Sequence, residues 1–252
     1  MKSNSYLAVE SLFHISENLL RQTGRVGYYR PYFSTFRPLD YNSWYCRTHV
    51  HTCPVGQEEA LTRRLAEGVR RGQLPWLLSV SEEDVPAAFF PALEQAGFSV
   101  RKPQTGMLLE TRSYQPAPAD PHVVRIGPDQ IGAWAAVCTQ AFGKGDETPA
   151  MRLLIGEPMP RAQFYAYLHD GAIAATLMMY LQPGNASLHE VGTLAQFRGR
   201  GYCTALLHRA FTDAKTMGYP LVTLQASVLG APVYRRVGMV EISHLRNYYL
   251  LP

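Results

Sequence analysis

The stretch from Glu190 to Met217, EVGTLAQFRGRGYCTALLHRAFTDAKTM, constrains the fold of this chain more than any other. It opens as a strand, turns through a short run rich in glycine and arginine, and continues as a helix. From Tyr202 onward the apolar positions are Tyr202, Leu206, Leu207, Ala210, Phe211, Ala214 and Met217. Their three-or-four spacing predicts a helix with one buried face, and Gly218 supplies a stop. The turn itself is Gln196-Phe197-Arg198-Gly199-Arg200-Gly201. Two glycines allow a sharp bend and a close approach of backbone to a bound group. The first amides of the helix, at Tyr202, Cys203 and Thr204, have no partner inside it. Helix dipole and free N–H groups together favour an anion there, and Arg198 and Arg200 add positive charge. A Walker A loop needs Gly-Lys followed by Ser or Thr, whereas Tyr202 follows the second glycine. A dinucleotide fingerprint needs a third glycine where Thr204 stands. Both are excluded.

The spacing Q-x-x-G-x-G resembles the acyl-CoA pyrophosphate loop of the GNAT superfamily of N-acetyltransferases, and the resemblance continues past the loop. LVTLQAS, Leu221 to Ser227, resembles the next strand of that family, and APVYRRVGM, Ala231 to Met239, its short helix with a tyrosine before a Gly-Phe pair. Two positions depart from the pattern: Cys203 replaces a small residue and Met239 the usual Phe. The resemblance implies an α/β (α+β) fold, a mixed, mostly antiparallel sheet flanked by helices. It implies acetyl-CoA as cosubstrate and transfer of the acetyl group to an amine.

Composition fits this and excludes other classes. Of 252 residues, 46% are hydrophobic and 17% charged, which suits a globular chain with a sizeable core. The net charge of +4 is evenly spread, with 13 basic against 11 acidic residues in 1–118 and 11 against 9 in 119–252. No basic stripe of the kind nucleic acid needs is present. Glu10, His14 and Glu17 interrupt the apolar N-terminal stretch, unlike a secretory signal. The longest apolar run, Gly171 to Leu181, falls far short of the roughly 20 residues of a membrane helix. Four cysteines without close pairing read as thiols of a reducing compartment. A cytoplasmic protein, monomeric or homodimeric, is expected.

Along the chain, Tyr6–Gln22 reads as an amphipathic helix, Tyr45–Thr52 as a strand, Gln57–Gly72 as a helix, Trp76–Val80 as a strand, and Pro86–Ala96 as a helix. Thr105–Glu110 ends this half as a strand. Alternation puts His49, His51 and Cys53 on one strand face; with no fourth ligand at a recognisable spacing, no metal is expected. The ending, a helix, Gly97-Phe98 and a hairpin closing in GMLLE, resembles the end of a GNAT domain. The first half thus resembles a degenerate copy, without the glycine loop. Ser113–His122, with three prolines in 116–121, is the linker. The expected organisation is two tandem copies: 1–115 degenerate, 116–122 linker, 123–252 catalytic. In the second half the reading is strand Val123–Ile126, helix Asp129–Phe142, a loop Gly143–Thr148, a short helix at Met151–Ile155, and a hairpin turning at Asp170-Gly171. A central strand starts near Ser187, and Tyr248–Leu251 closes the sheet.

Acetyl transfer to an amine needs a neutral amine, a polarised carbonyl, a protonated leaving thiolate and both partners held together. No G-x-S-x-G elbow is present for a relay. Cys203 lies where a thiolate is favoured, but at the pyrophosphate end, so it reads as structural and attack by the amine is direct. Gly192 inside a strand marks a bulge or close backbone approach. The resemblance implies that Val191, Gly192 and Thr193 pair with the pantetheine arm, the Thr193 amide facing the oxyanion. It also implies cofactor contacts at Gln196, Arg198, Gly199, Arg200, Gly201, Tyr202, Cys203, Thr204 and Ser227. Glu190 is the candidate general base, directly or through a water; otherwise it is a solvated strand-end carboxylate. His189 points to the other face. Tyr234 matches the tyrosine that protonates the CoA sulfur, with a core tyrosine as the alternative. Asp146, Glu147 and Glu157 lie where they could attract a cationic amine; read otherwise, and in preference, they are solvated loop acids. Two rivals stay open: a CoA-binding or regulatory module of this fold that no longer transfers acetyl, and an enzyme using a longer acyl donor.

Overall fold

The computed structural model describes residues 3–41, 43–101, 103–156 and 161–251. The chain forms two compact units, one of Met1–Gly106, Ala226–Ala231 and Glu241–Pro252, the other of Met107–Gln225 and Pro232–Val240. Among the described residues seven α-helices flank mixed, mostly antiparallel β-structure.

The first unit opens with α1 (Asn4–Gln22), whose first turn is capped by the Ser3 hydroxyl accepting the Tyr6 amide at 3.2 Å. After β1 (Tyr28–Tyr29) and β2 (Phe33–Phe36) comes β3 (Arg47–Val50). Helix α2 (Glu58–Arg70) buries Leu61, Leu65, Ala66 and Val69 at helical spacing and exposes its arginines. It leads to β4 (Leu77–Ser81), α3 (Phe89–Gln95) and β5 (Ser99–Val100). β6 (Gln104–Glu110) carries the chain onward. β1, β2 and β3 pair antiparallel in sequence, and β3 pairs β4 in parallel across the α2 crossover.

The second unit holds β7 (Val123–Ile126), α4 (Ile131–Phe142), α5 (Thr148–Ile155), β8 (Ala162–His169), β9 (Ala172–Gln182) and β10 (Asn185–Thr193). Then follow α6 (Tyr202–Thr216), β11 (Leu221–Ser227) and α7 (Ala231–Arg236). β7 to β10 form an antiparallel meander, and β10 pairs β11 in parallel across α6. The β8–β9 hairpin turns where expected, with φ of 49° at Asp170 and 78° at Gly171, the left-handed pair that a two-residue turn requires. Leu206, Leu207, Ala210, Phe211 and Ala214 are the buried face of α6.

Two expectations need correction. The last strand is not a short closure at Tyr248–Leu251 but β12 (Val240–Tyr249), and it pairs with β4 from Leu245–Ser81 to Tyr249–Leu77. The C-terminal residues therefore complete the sheet of the first unit, and the compact units are not the two continuous segments 1–115 and 123–252. The cause lies in pairing demands. β4 is buried along its whole length, so both of its edges need partners. β12 supplies one, with Ser243, Leu245 and Asn247 buried at period two and the Ser79 hydroxyl donating to Asn247 Oδ1 at 2.7 Å. Just before the expected linker 116–122, Tyr114 is buried, its hydroxyl lies 2.9 Å from His208 Nδ1, and its carbonyl accepts from Lys215 Nζ at 2.6 Å.

Candidate active site

The parallel ladder between β10 and β11 runs from Asn185–Leu221 to Leu188–Leu224 and stops there, although β10 continues to Thr193. On its other edge β10 stays paired with β9, with a bulge between His189 and Gly192. Val191, Gly192 and Thr193 thus lie on a strand end that has left β11, as an added extended chain requires. Gly192 has a second reason to be glycine: a Cβ there would stand 2.6 Å from Phe142 Cε2 and 3.1 Å from Ala141 Cβ. Its missing side chain lets the end of α4 pack on the bulge.

The turn after β10 has the expected form. Ala195–Phe197 is a single 3₁₀ turn, and Gly199 and Gly201 have φ of 78° and 84°. A Cβ at either glycine would meet nothing within 4 Å, so the left-handed backbone, and not crowding, requires glycine. Gly201 is the N-cap of α6 and offers no side chain to its first amides, and the first turn carries no acidic residue. The space and the dipole suit an anion. The two arginines differ in their contacts. Arg198 donates to the Thr193 carbonyl at 3.2 Å and the Ala141 carbonyl at 3.4 Å, so it braces the turn. Arg200 lies 5.6 Å from the centre of the Phe197 ring and is exposed. Gln196 is exposed in the 3₁₀ turn, and Thr204 is half-buried on the first turn of α6.

Tyr202 is buried, stacked on Tyr167 with ring centres 3.9 Å apart, its hydroxyl 2.8 Å from His169 Nδ1. Its contribution to an anion is therefore its amide. Cys203 is half-buried, and burial pushes its thiol up to about 11, away from a thiolate. Tyr234 lies on α7, buried, its phenol pushed well above the usual value by burial and by the neighbouring Cys203. Ser227 ends β11 in a turn, its hydroxyl accepting the Gly230 amide at 3.2 Å.

Glu190 is not a solvated strand-end carboxylate. Its φ is 52°, unusual for a side chain other than glycine, and its side chain is 7% exposed. The carboxylate forms an ion pair with the Lys144 ammonium and accepts from the Cys138 thiol at 3.3 Å. The Glu190 carbonyl accepts from the Thr176 hydroxyl at 2.9 Å. Burial alone would raise the acid, but the charge and hydrogen bond of Lys144 together with the Cys138 thiol outweigh it and hold the carboxyl below its usual value. The Cys138 thiol is driven upward by burial and by the Glu190 charge. Sequence reasoning missed Lys144 and Cys138. Only the position of Lys144 between two glycines, Gly143 and Gly145, hinted at a special loop residue.

His189 is buried facing Ser187, with Nε2 3.0 Å from its hydroxyl, a structural arrangement. Asp146 accepts the Thr148 amide at 2.9 Å, and hydrogen bonding from the Thr148 side chain and then its backbone lowers the carboxyl, while Glu147 is buried at the start of α5. Glu157 lies outside the described residues. In the first unit the His49 and His51 rings lie 5.5 Å apart, and Cys53 donates to the Pro54 carbonyl. Among the described residues no group of three or more His, Cys, Asp or Glu side chains is arranged to hold a metal, and no helix is long and apolar enough to cross a membrane.

Comparison with known proteins gives the same family as the turn. Residues 131–239 match the acetyltransferase (GNAT) family. Among solved structures, a GCN5-related N-acetyltransferase from Kribbella flavida is similar at 17% identity over 97% of this chain and 96% of its own, with a TM-score of 0.71. A GCN5-related N-acetyltransferase from Sphaerobacter thermophilus shares 19% identity over 82% of this chain and 74% of its own, with a TM-score of 0.60. A tandem GNAT protein from the clavulanic acid biosynthesis pathway shares 15% identity over 86% of this chain and 77% of its own, with a TM-score of 0.54. No curated protein sequence matches. At these identities the structures establish the fold.

Proposed function

Because residues 131–239 constitute an acetyltransferase (GNAT) family domain, we propose that the chain transfers an acetyl group from acetyl-CoA to an amine of a small molecule or peptide by direct attack. The observation that carries this reading is the early end of the β10–β11 ladder above a turn that leads into an uncapped helix. It provides backbone for an extended arm and amides for a diphosphate in one continuous stretch.

Acetyl-CoA supplies the acyl group as a thioester, and the residues of this chain do the rest. Val191, Gly192 and Thr193 hold the pantetheine arm by backbone pairing. The amides of Gly199 to Thr204 hold the diphosphate, with Gln196 and Arg200 at the rim and Arg198 keeping the turn in shape. The Thr193 amide polarises the carbonyl. The amine nitrogen forms a bond to the acyl carbon while the carbon–sulfur bond breaks. Glu190, directly or through a water, takes the amine proton, and the Tyr234 phenol gives one to the departing sulfur. Burial keeps the Tyr234 phenol in its protonated form, the form in which it can donate a hydrogen bond to the sulfur. In this reading one acetyl-CoA binds per chain. A soluble cytoplasmic enzyme, monomeric or homodimeric and without a nucleic-acid partner, fits the composition.

One observation favours the rival CoA-binding module: the Glu190 carboxylate is already paired with Lys144. Melting temperature with acetyl-CoA and CoA release with a broad amine panel decide between them. Stabilisation with CoA release supports the enzyme, stabilisation without release supports the module, and neither would overturn both.

A further inference from the structure

We infer that Lys144 is a built-in placeholder for the acceptor amine, and that the acceptor is an aliphatic primary ammonium which displaces it from Glu190. The inference rests on the acetyltransferase reading and names the substrate class of that same site. Four observations carry it.

The Lys144 and Glu190 side chains are 10% and 7% exposed, so an ammonium and a carboxylate are taken out of water together. Such a pair is close to neutral for stability when compared with apolar residues of the same size, so stability alone does not account for it. Second, the backbone is bent to make it: Glu190 stands at φ 52° in the bulge. Strain of this kind is concentrated where a site requires it. Third, the surroundings are those of an ammonium pocket. The Phe142 ring centre lies 4.8 Å from Lys144 Nζ, with the Glu190 carboxylate on the same nitrogen. Phe142 is 42% exposed, so the aromatic group beside the pair reaches solvent. Fourth, the lysine sits on a hinge. Gly143 has φ 62°, and a Cβ at Gly143 or Gly145 would meet nothing within 4 Å. The loop can withdraw without repacking around those two positions.

The end of a lysine side chain is a butylammonium, and what holds it here is charge, an aromatic face and N–H donation. An aliphatic ammonium satisfies all three; an aromatic amine or a hydroxyl does not. Once it replaces Lys144, its nitrogen lies beside Glu190 at the bulge. Lys144 then competes with the acceptor, and the apparent acceptor affinity is reduced by the fraction of molecules in which the lysine is in place.

Two measurements on the full chain test this. In the first, deuterium exchange of the Gly143–Glu147 amides is followed without acetyl-CoA, with butylammonium chloride as probe and tetramethylammonium chloride, which has no N–H, at equal ionic strength. Butylammonium should raise exchange saturably and tetramethylammonium should not. In the second, CoA release with butylamine is compared in wild type, Lys144→Ala, Lys144→Met and Lys144→Arg. The Ala and Met variants should lower KM by about 10-fold or more, while Arg keeps the wild-type value. Two uncharged variants are used so that one failing to fold does not remove the test. Exchange unmoved by butylammonium, or a KM that is unchanged or higher in the uncharged variants, overturns the inference and makes Lys144 a fixed strut. A wild-type chain that binds no acetyl-CoA would instead overturn the acetyltransferase reading, while the exchange measurement still decides whether an alkylammonium displaces Lys144.

Discussion

The chain contains two crossovers of one form, β3–α2–β4 in the first unit and β10–α6–β11 in the second, each joining parallel strands through an amphipathic helix. Both enter the helix from a left-handed glycine, Gly56 at φ 83° and Gly201 at φ 84°. They then diverge. The first turn of α2 carries Glu58 and Glu59, which satisfy the helix dipole with the chain's own charges. The first turn of α6 carries no acid and follows a second glycine and two arginines. The β3–β4 ladder reaches Val50, the last residue of β3, whereas the β10–β11 ladder ends five residues before β10 does. The same backbone route therefore gives a closed element in one unit and, in the other, an open one whose first amides and dipole suit an anion. The difference is made by side chains in the first helical turn and by the bulge.

The largest expected effect lies in the open crossover. Tyr234→Phe keeps the ring and deletes only the proton, so turnover should fall about 10²–10⁴-fold. Acetyl-CoA affinity should stay within a few-fold, as calorimetry would show. Wild-type turnover would make Tyr234 a core residue and remove one difference between the units.

Next is the buried pair at the bulge. Glu190→Gln leaves the Lys144 ammonium without its carboxylate and should destabilise the chain by about 3–5 kcal/mol in urea denaturation. The double change Glu190→Gln with Lys144→Met should recover most of this. The rate loss of Glu190→Gln should also shrink at high pH, where more of the amine is already neutral. A loss independent of pH would count against a role in taking its proton.

The first unit has a matching buried group in His49, 4% exposed on β3. Burial, helped by the neighbouring His51 and Arg47 charges, lowers its pKa to about 3. In the unfolded chain the ring takes a proton near pH 6.5, so stability is full above that value. It falls as pH drops toward 3, because only the unfolded state gains the proton. Between pH 7 and 5 the loss is about 2 kcal/mol. Denaturation of His49→Gln should show a smaller pH dependence by about that amount, and an equal dependence would contradict a neutral buried ring.

The smallest effect is expected at Arg198. Its contacts are to carbonyls, so Arg198→Ala should weaken acetyl-CoA only a few-fold, on the order of 1 kcal/mol, through a looser turn. A loss of 100-fold would restore it as a direct partner of the diphosphate.

What was legible in the chain was local. The Gly199 and Gly201 turn, the apolar stripe of α6 and the Asp170-Gly171 hairpin are each written in residues a few positions apart, because backbone sterics and helical spacing act over that range. The placement of β12 was not legible, since Val240–Tyr249 reads as a strand for any half-buried sheet and pairing with β4 and β5 selects its place. Nor was the Lys144–Glu190 pair. It needs a left-handed glutamate inside a bulge and a glycine hinge 46 residues earlier to meet it, and neither leaves a pattern in sequence. The contacts of Arg198 were not legible for a related reason: an arginine in a turn bonds an anion or the turn's own carbonyls, and spacing does not choose between them.

The contrast between the two crossovers is tested most directly by titrating acetyl-CoA into the full chain by calorimetry, with Gly201→Val and Gly56→Val alongside. Both variants strain a left-handed position to a similar degree, so a general loss of folding cannot separate them. The open-crossover account predicts one site per chain, abolished by Gly201→Val and unchanged in affinity in Gly56→Val. Two sites per chain, or one site that survives Gly201→Val and disappears with Gly56→Val, would contradict it.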